Sequence, residues 1–360
     1  MGKSLILVLM LTFPLFILNC GPNLSDRAID TAFNTPSSEN GRSPNGAPER
    51  GGDNQGGNAG KVPSHNGSSS LGICSKLNFD GVNFPSQVTT SEIDAFELAL
   101  NISGGLEGST GWGNLANNFD GQGMSFGLLN QNFGQGSLQP IWIKMRDRHL
   151  GTLKSIFKGN HAASVLQMLN RWETSLSILE VNPGILSPLD IQNDFFTTAS
   201  AVLGRNSGSV SWAVSNLYNG GQFKADWLQE LTELANSLEY VTLQLESAAA
   251  LHLRAKSYVG TLQVSQIRSY LFSFDIVVQN GGFYPGDLSD YKNFLSSSPH
   301  ASDTQRLDQM LNFRLRHVNG RYVADVRSRK LAVIDGHGFV HGAARNFETE
   351  YCFDRLNPFN

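Results

Sequence analysis

Charge and cysteine are both scarce in this chain of 360 residues. Only 16% of its residues are Asp, Glu, Lys or Arg, the formal net charge is −4, and there are three cysteines. So mild a charge predicts neither nucleic-acid binding nor strong attraction to an anionic membrane. The hydrophobic content of 40% and the five tryptophans are typical of a soluble globular core.

The first 20 residues have the layout of a secretory signal peptide. Lys3 precedes an apolar run over residues 5–18, which is too short to span a bilayer comfortably and is interrupted by Pro14. The sequence ILNC at 17–20 resembles the lipobox of bacterial lipoproteins, although its third position is usually Gly, Ala or Ser. We therefore expect lipidation of Cys20, export to the cell envelope (periplasm or outer membrane) and membrane attachment through lipid. The alternative is an ordinary secretory signal.

Residues 21–71 contain hardly any large apolar side chains and are rich in Gly, Asn, Ser and Pro. Such a segment cannot bury enough surface to offset its ordering entropy, which predicts a disordered tether about 40 Å across. Residues 72–360 are long enough for one large or two small domains. Cys74 and Cys352 lie near the ends of this part, and in an exported protein they predict a disulfide; the alternative is two free thiols.

Hydrophobic spacing predicts a mainly α protein of the α+β class, with one small β-hairpin. A first helix is predicted over Thr90–Ile102, stopped by the glycines at 104–105, with Glu107 just beyond its end. The Gly and Asn punctuation over 117–131 predicts the hairpin, with Asp120-Gly121 as its turn. Further helices are predicted over 161–179, 187–203, 228–245 (one long helix or two joined ones), 265–279 and 304–317.

Glu107 and Asp120 are the sole acids between Leu98 and Arg146. Glycosidic cleavage needs one protonated carboxyl and a second carboxylate. A helix C-terminus disfavours an ionised carboxylate, so we expect Glu107 to be the general acid. Asp120, on an open Gly-rich hairpin, is expected to stay ionised.

Side-chain amides surround the two acids, and amides match sugar hydroxyl and N-acetyl groups because they both donate and accept. Trp112 is expected to offer an apolar face to a pyranose ring. The predicted substrate-binding amides are Asn118, Gln122, Asn130, Gln131 and Gln135. The alternative is a Gly-Asn-rich surface loop held together by its own Asx turns.

The segment "LEGSTGWGNLANNFDGQGMSFGLLNQNFGQGSLQP", residues 106–140, resembles the site segment of lysozyme-like and chitosanase-like glycoside hydrolases. It is most similar to bacterial proteins with an FDGQG.SFG.LQWN.GQGSLQP signature, and departs from it at Asn130-Gln131-Asn132. The resemblance implies a lysozyme-like helical domain, with Glu107 as general acid, Asp120 as second carboxylate and Ser125 positioning water. The segments 269–282 and 327–342 resemble the same pattern, which implies one domain over 72–360.

Three other groups of residues have open interpretations. Asp275 and Gln279 share a helix face and either line the site or fix the helix to the site loop. His337 and His341 lie among glycines that argue against a zinc-binding helix, so no metal and no cofactor is predicted. The basic residues of the last quarter form a solvated helix face, or favour an anionic polymer if they border the site. They are Arg314, Arg316, Arg321, Arg327, Arg329 and Lys330.

These observations favour an exported glycoside hydrolase acting on the glycan of peptidoglycan. A polysaccharide is the expected partner, with a lipid anchor and without nucleic acid. The alternatives are a chitosanase-like hydrolase of another amino-sugar polymer, and a non-catalytic glycan-binding lipoprotein.

Overall fold

The computed structural model describes residues 73–181 and 195–359. The expected signal peptide, the lipidation site Cys20, the tether and the start of the helix predicted at 187 lie outside the described residues. Within the described ranges, no helix is both long and apolar enough to cross a membrane.

The described chain is mainly helical, as predicted. The α-helices are α1 (Ile93–Glu107), α2 (Gln139–Arg148), α3 (Leu150–Ile156), α4 (His161–Val181), α5 (Phe195–Leu217), α6 (Ala225–Ala235), α7 (Leu238–Leu262), α8 (Ile267–Asn280), α9 (Pro285–Ser297), α10 (Asp303–Leu315), α11 (Val323–Asp335) and α12 (Phe347–Tyr351). The strands are β1 (Leu115–Ala116), β2 (Ser125–Phe126), β3 (Gln131–Asn132), β4 (Tyr218–Asn219), β5 (Gln222–Phe223), β6 (His337–Val340) and β7 (Ala343–Asn346).

Two clusters of buried apolar side chains make up the core, and α7 contributes to both. Its Tyr240 belongs to the cluster that includes α2 to α6, whereas its Leu245 belongs to the cluster around α1, α8 and α10. The sheet β1–β3 lies where the clusters meet, because Phe126 is buried in the first cluster and Leu128 in the second.

The predicted end of the first helix was wrong, because α1 continues through Gly104 and Gly105 to Glu107. Gly104 and Gly105 allow close packing and do not end the helix. A Cβ on Gly104 would lie 2.3 Å from Cδ1 of Leu128, and one on Gly105 would lie 2.9 Å from the hydroxyl of Tyr351. Glu107 is therefore the last helical residue, and the turn after β2 and helix α12 pack against the end of α1.

The predicted hairpin is part of a three-stranded antiparallel sheet. β1 pairs with β2 and β2 with β3, so that Ser125 lies opposite both Ala116 and Asn132. A single 3₁₀ turn, Asn118–Asp120, ends at Gly121 in the left-handed region with φ 78°. Glycine adopts this conformation without strain, so the predicted turn is confirmed at this point.

The predicted disulfide is confirmed. Cys74 and Cys352 are bonded with their Cα atoms 5.2 Å apart, and the backbone N–H of Cys74 also donates to the carbonyl oxygen of Tyr351 at 2.9 Å. The leucine pattern from 228 onward forms two helices, α6 and α7, and Gly281 ends α8 with φ 72° as its sequence predicted.

A buried histidine on α7 connects this helix to α8 and to the start of α1. His252 is fully buried, with Nδ1 2.7 Å from the hydroxyl oxygen of Tyr270 and Nε2 3.5 Å from Oε2 of Glu92. Lys256 pairs with the other oxygen of Glu92. Although burial disfavours the Glu92 carboxylate, its bonds to Lys256 and Thr89 lower the pKa of Glu92 to about 2.

Because of His252, we expect the protein to lose stability in mild acid. Burial lowers the pKa of His252, so below about pH 6.5 the unfolded chain binds more protons than the folded protein. The contribution of His252 to the free energy of unfolding is fully present above pH 6.5. It falls by up to about 1.4 kcal/mol per pH unit as the pH decreases below that value. Urea unfolding of the protein and of His252→Gln at pH 7, 6 and 5 measures this contribution.

The His252→Gln variant is needed for comparison because protonation of Glu97 changes the stability in the opposite direction. Burial raises the pKa of Glu97 to about 7, so the folded protein takes up that proton first and gains stability as pH falls from 7 towards 4.5. The variant keeps Glu97, so the difference between the two curves belongs to His252. We expect His252→Gln to lose less stability than the wild type between pH 7 and 5, and parallel curves would contradict this assignment.

Candidate functional site

Glu107 ends α1 with its carboxyl held from two sides. Its Oε1 accepts from Nη2 of Arg329 on α11 at 2.7 Å, and its Oε2 accepts from Nδ2 of Asn130 at 3.2 Å. The amide of Asn130 also donates to the carbonyl oxygen of Glu107, and Asn130 itself has φ 49°, a conformation in which Asn is enriched. The side chain of Glu107 remains 17% exposed, so it is positioned but accessible.

Behind Glu107 lies a buried cluster of charges. Asp275 on α8 has no exposed surface and accepts from Arg329 in two bonds, Nη2 to Oδ1 at 2.6 Å and Nε to Oδ2 at 3.0 Å. Lys330 is also fully buried and pairs with Oδ2 of the same carboxylate. Two acids, Glu107 and Asp275, thus face two cations, Arg329 and Lys330.

Ionisation within this cluster is strongly coupled to burial. Burial disfavours the Asp275 carboxylate, but the charges of Arg329 and Lys330 outweigh this effect and hold the pKa of Asp275 well below its usual value. Burial lowers the pKa of Lys330, with Asp275 opposing and the neighbouring guanidinium of Arg329 assisting that change. Arg329 is therefore fixed between the two acids and acts as the positioning group for Glu107.

The expectation of a solvated basic face was wrong for three of its six residues. Arg314, Arg329 and Lys330 are buried, and Arg314 donates to the carbonyl oxygens of Gly282 and Asn280. Neither interpretation of Asp275 and Gln279 describes the structure fully, because Asp275 is buried but bonds Arg329 and Lys330 of α11 rather than the site loop. The sequence did contain a signal for this burial, because the Arg329-Lys330 pair lies in a helix that also contributes several core residues.

Asp120 lies on the loop between β1 and β2, near Tyr218 of β4. The loop is held by its own bonds, because Oδ1 of Asp120 accepts from the N–H of Gln122 at 3.1 Å and Oδ1 of Asn118 from the N–H of Gly123 at 2.6 Å. The hydroxyl of Tyr218 donates to the carbonyl oxygen of Gly123 at 2.6 Å. Burial raises the pKa of Asp120 although the Gln122 bond opposes it, so this carboxylate is less open to water than the sequence predicted.

The sheet places the two acids at opposite ends of β2. Asp120 belongs to the connection before β2, whereas Asn130, which binds Glu107, belongs to the turn after it. Ser125 lies on β2 between these ends and is 7% exposed. Asn130 and Asp120 are thus connected in the chain through β2 and its two flanking loops.

The predicted substrate-binding amides have different surroundings. Asn118 is bonded within its own loop, as the Asx-turn alternative proposed, and Asn130 holds Glu107. Gln122 and Gln131 each have a buried side-chain oxygen without a hydrogen-bond partner among the described residues, while Gln135 is exposed. The structure therefore brings Asn130 to Glu107 and Gln122 to Asp120.

Trp112 does not offer an open face to a sugar. It is 9% exposed, its Nε1 donates to the carbonyl oxygen of Asn78 at 3.1 Å, and its ring packs edge-on against Phe79. An aromatic side chain that is exposed near an acid is Phe119, which is 80% exposed and directly precedes Asp120. Its position next to an acid was visible in the sequence, but its exposure was not.

The described residues contain no group of three or more His, Cys, Asp or Glu side chains suited to a metal ion. His337 begins β6 and His341 lies in the turn after it with φ 50°, so the two are not on one helix face. Comparison with known proteins gives no relative: no family model, curated protein or solved structure matches this chain.

Proposed function

We propose that the protein is a glycoside hydrolase with a lysozyme-like fold that cleaves the glycan of peptidoglycan. The observation that carries this proposal is Glu107, an accessible carboxyl at a helix end whose two oxygens are held by Arg329 and Asn130. A second acid, Asp120, lies in the loop before β2, and Asn130 in the turn after β2 contacts Glu107. Two carboxyls, one of them accessible, are the groups that glycosidic cleavage needs.

In this mechanism Glu107, protonated from solvent, gives its proton to the leaving oxygen, and Asp120, ionised, takes a proton from the attacking water. The contacts to Arg329 and Asn130 come from hydrogen-bond donors, so they fix the orientation of the Glu107 carboxyl but do not supply its proton. Burial raises the pKa of Asp120, and a general base is most efficient when its pKa lies near the working pH. Ser125, on β2, is the residue we assign to position the water.

The choice of peptidoglycan over chitosan depends on charge. A cationic polymer would require several carboxylates along its path, and residues 98–146 hold just two. Arg329 and Lys330 do not themselves contact a polymer, because both are buried and paired with acids of the protein. The segment around Glu107 thus suits a neutral N-acetylated sugar chain better than a chain of ammonium groups.

Phe119 replaces Trp112 as the expected sugar-stacking side chain. Phe119→Ala should raise KM on a soluble glycan about 3- to 10-fold with little change in kcat, because a ring contact of about 0.5–1.5 kcal/mol would be lost. The matched control is Phe339→Ala, which removes another exposed ring, 63% exposed on β6. Equal KM values for wild type and Phe119→Ala would exclude a stacking role.

The proposed function is tested by incubating the purified protein with purified peptidoglycan and, separately, with chitosan, and measuring soluble fragments and reducing ends. Release from peptidoglycan and not from chitosan is expected. Release from chitosan alone would favour the chitosanase-like alternative. Binding to insoluble peptidoglycan without any release from either polymer would show a non-catalytic glycan-binding protein and overturn the proposal.

A further inference from the structure

A pocket of about 450 Å³ lies beside the end of α1, on a part of the surface that the proposed mechanism does not use. Its volume is in the range of small-molecule sites. Its lining comes from residues 76–78, from residues 101, 105 and 108–112 in and after the end of α1, from Leu128, and from the C-terminal residues Arg345 and Tyr351. Segments near both ends of the described chain therefore contribute to its walls.

These walls are fixed by bonds that are already present without a ligand. The Cys74–Cys352 disulfide joins the two end segments directly outside the pocket. Oδ1 of Asn101 accepts from the backbone N–H groups of Lys76 at 2.8 Å and Leu77 at 3.2 Å, and the hydroxyl of Tyr351 donates to the carbonyl oxygen of Asn101 at 3.2 Å. A pocket held in this way loses little entropy when it binds a ligand.

The charge of the pocket is positive. Among the described residues its lining includes two cations, Lys76 and Arg345, and no acid. Both cations contact one carboxylate outside the lining, Glu350, at 3.4 Å and 2.7 Å, so that two positive charges share one negative partner. The Lys76 ammonium lies 4.7 Å from the ring centroid of Tyr351, and its side chain is 57% exposed, so a ligand can reach it. A carboxylate is the group that such a site attracts.

The pocket is also next to the proposed catalytic acid. Gly105 and Gly108, on either side of Glu107 in the chain, both line it. Ser109, Thr110 and the edge of Trp112 supply hydroxyl groups and an apolar surface in the same lining, a combination that suits an amide- or sugar-containing segment.

We infer that this pocket is a second binding site, which holds a carboxylate-bearing segment of the polymer while Glu107 acts on the glycan. The identity of the polymer rests on the proposed function. Peptidoglycan offers such a carboxylate from two sources, the lactyl group of its muramic acid and its peptide chains. The site binds the carboxylate through Lys76 and Arg345 and packs the adjoining atoms against Trp112 and Tyr351.

The test is ligand-observed saturation-transfer NMR on the full-length protein. The probes are N-acetylmuramic acid, the dipeptide D-Ala-D-Ala and N-acetylglucosamine, which has no carboxylate. Ser109→Trp fills the pocket from an exposed position, and Lys76→Gln removes one charge. The matched controls, Ser296→Trp and Lys292→Gln, make the same changes at exposed positions on α9 that do not line the pocket.

We expect one of the two carboxylate probes to bind, about fivefold more weakly to Lys76→Gln and undetectably to Ser109→Trp, with both controls like the wild type. The probe that binds identifies the source of the carboxylate. Equal binding of N-acetylglucosamine, or binding that neither pocket variant changes, would overturn the inference. Pocket binding without release of reducing ends would refute the proposed function and leave this site standing; release without pocket binding would do the reverse.

Discussion

Replacing Glu107 by Gln is expected to reduce release of reducing ends from peptidoglycan about 10²- to 10⁴-fold, the usual contribution of a general acid. Glutamine keeps the length of the side chain, and its one amide oxygen can still accept from Arg329 or Asn130, but it has no proton to give to the leaving oxygen. The fold should survive, because Arg329 keeps its two bonds to Asp275 when the charge of Glu107 is removed. The measurement is initial rate at saturating polymer, together with binding to insoluble peptidoglycan, which the variant should retain.

Glu97→Gln is the matched control for this experiment. It makes the same change on the same helix at another partly buried glutamate, three turns before Glu107, and should leave the rate near that of the wild type. A Glu107→Gln protein that is folded and keeps more than a tenth of the activity would remove Glu107 from its role as general acid. Loss of activity together with loss of polymer binding would indicate a binding role instead.

Features that depend on neighbouring residues were predictable from the sequence. The end of α8 before Gly281 and the turn at Gly121 follow from local dihedral preferences, and hydrophobic spacing predicted helix over the leucine pattern but left open its division into α6 and α7. The Cys74–Cys352 bond followed from the number of cysteines and the expected compartment.

Features that depend on distant residues were not predictable in this way. In the sequence Gly104 indicates a helix stop, but in the structure Leu128, 24 residues later, packs against it. The sequence likewise indicates a solvent-facing cation at Arg329, but α8 and α1 bring Asp275 and Glu107 into contact with it. Asp120 reads as open because nothing near it in the chain indicates the burial that changes its pKa. At each position a long-range contact overrides a local preference, as tertiary packing commonly does.

Asp275→Asn is expected to lower the free energy of unfolding by about 3–5 kcal/mol, the usual cost of removing one partner from a buried ion pair. The amide keeps the shape of the side chain but leaves Lys330, which has no exposed surface, beside a guanidinium without its counter-charge. Loss of that counter-charge lowers the pKa of Lys330 further, so the variant should lose additional stability as pH falls and the lysine is forced to accept a proton. Urea unfolding at pH 8 and pH 6 measures both effects.

Two further variants separate the buried charge from a simple loss of hydrogen bonds. Asp287 is also fully buried, but its partners Arg316 and His317 are 48% and 39% exposed and can return to water, so Asp287→Asn should cost roughly 1–2 kcal/mol. Adding Lys330→Met to Asp275→Asn removes the unpaired cation and should restore part of the lost stability, because an apolar side chain of similar length needs no counter-charge.

If the double variant were less stable than Asp275→Asn by the full cost of a second substitution, Lys330 would be stabilising in its own right and the cluster would not be a balance of paired charges. Recovery would show instead that the unpaired lysine caused the loss, and the rate of glycan release by the double variant then reports how much the positioning of Arg329 against Glu107 depends on Asp275.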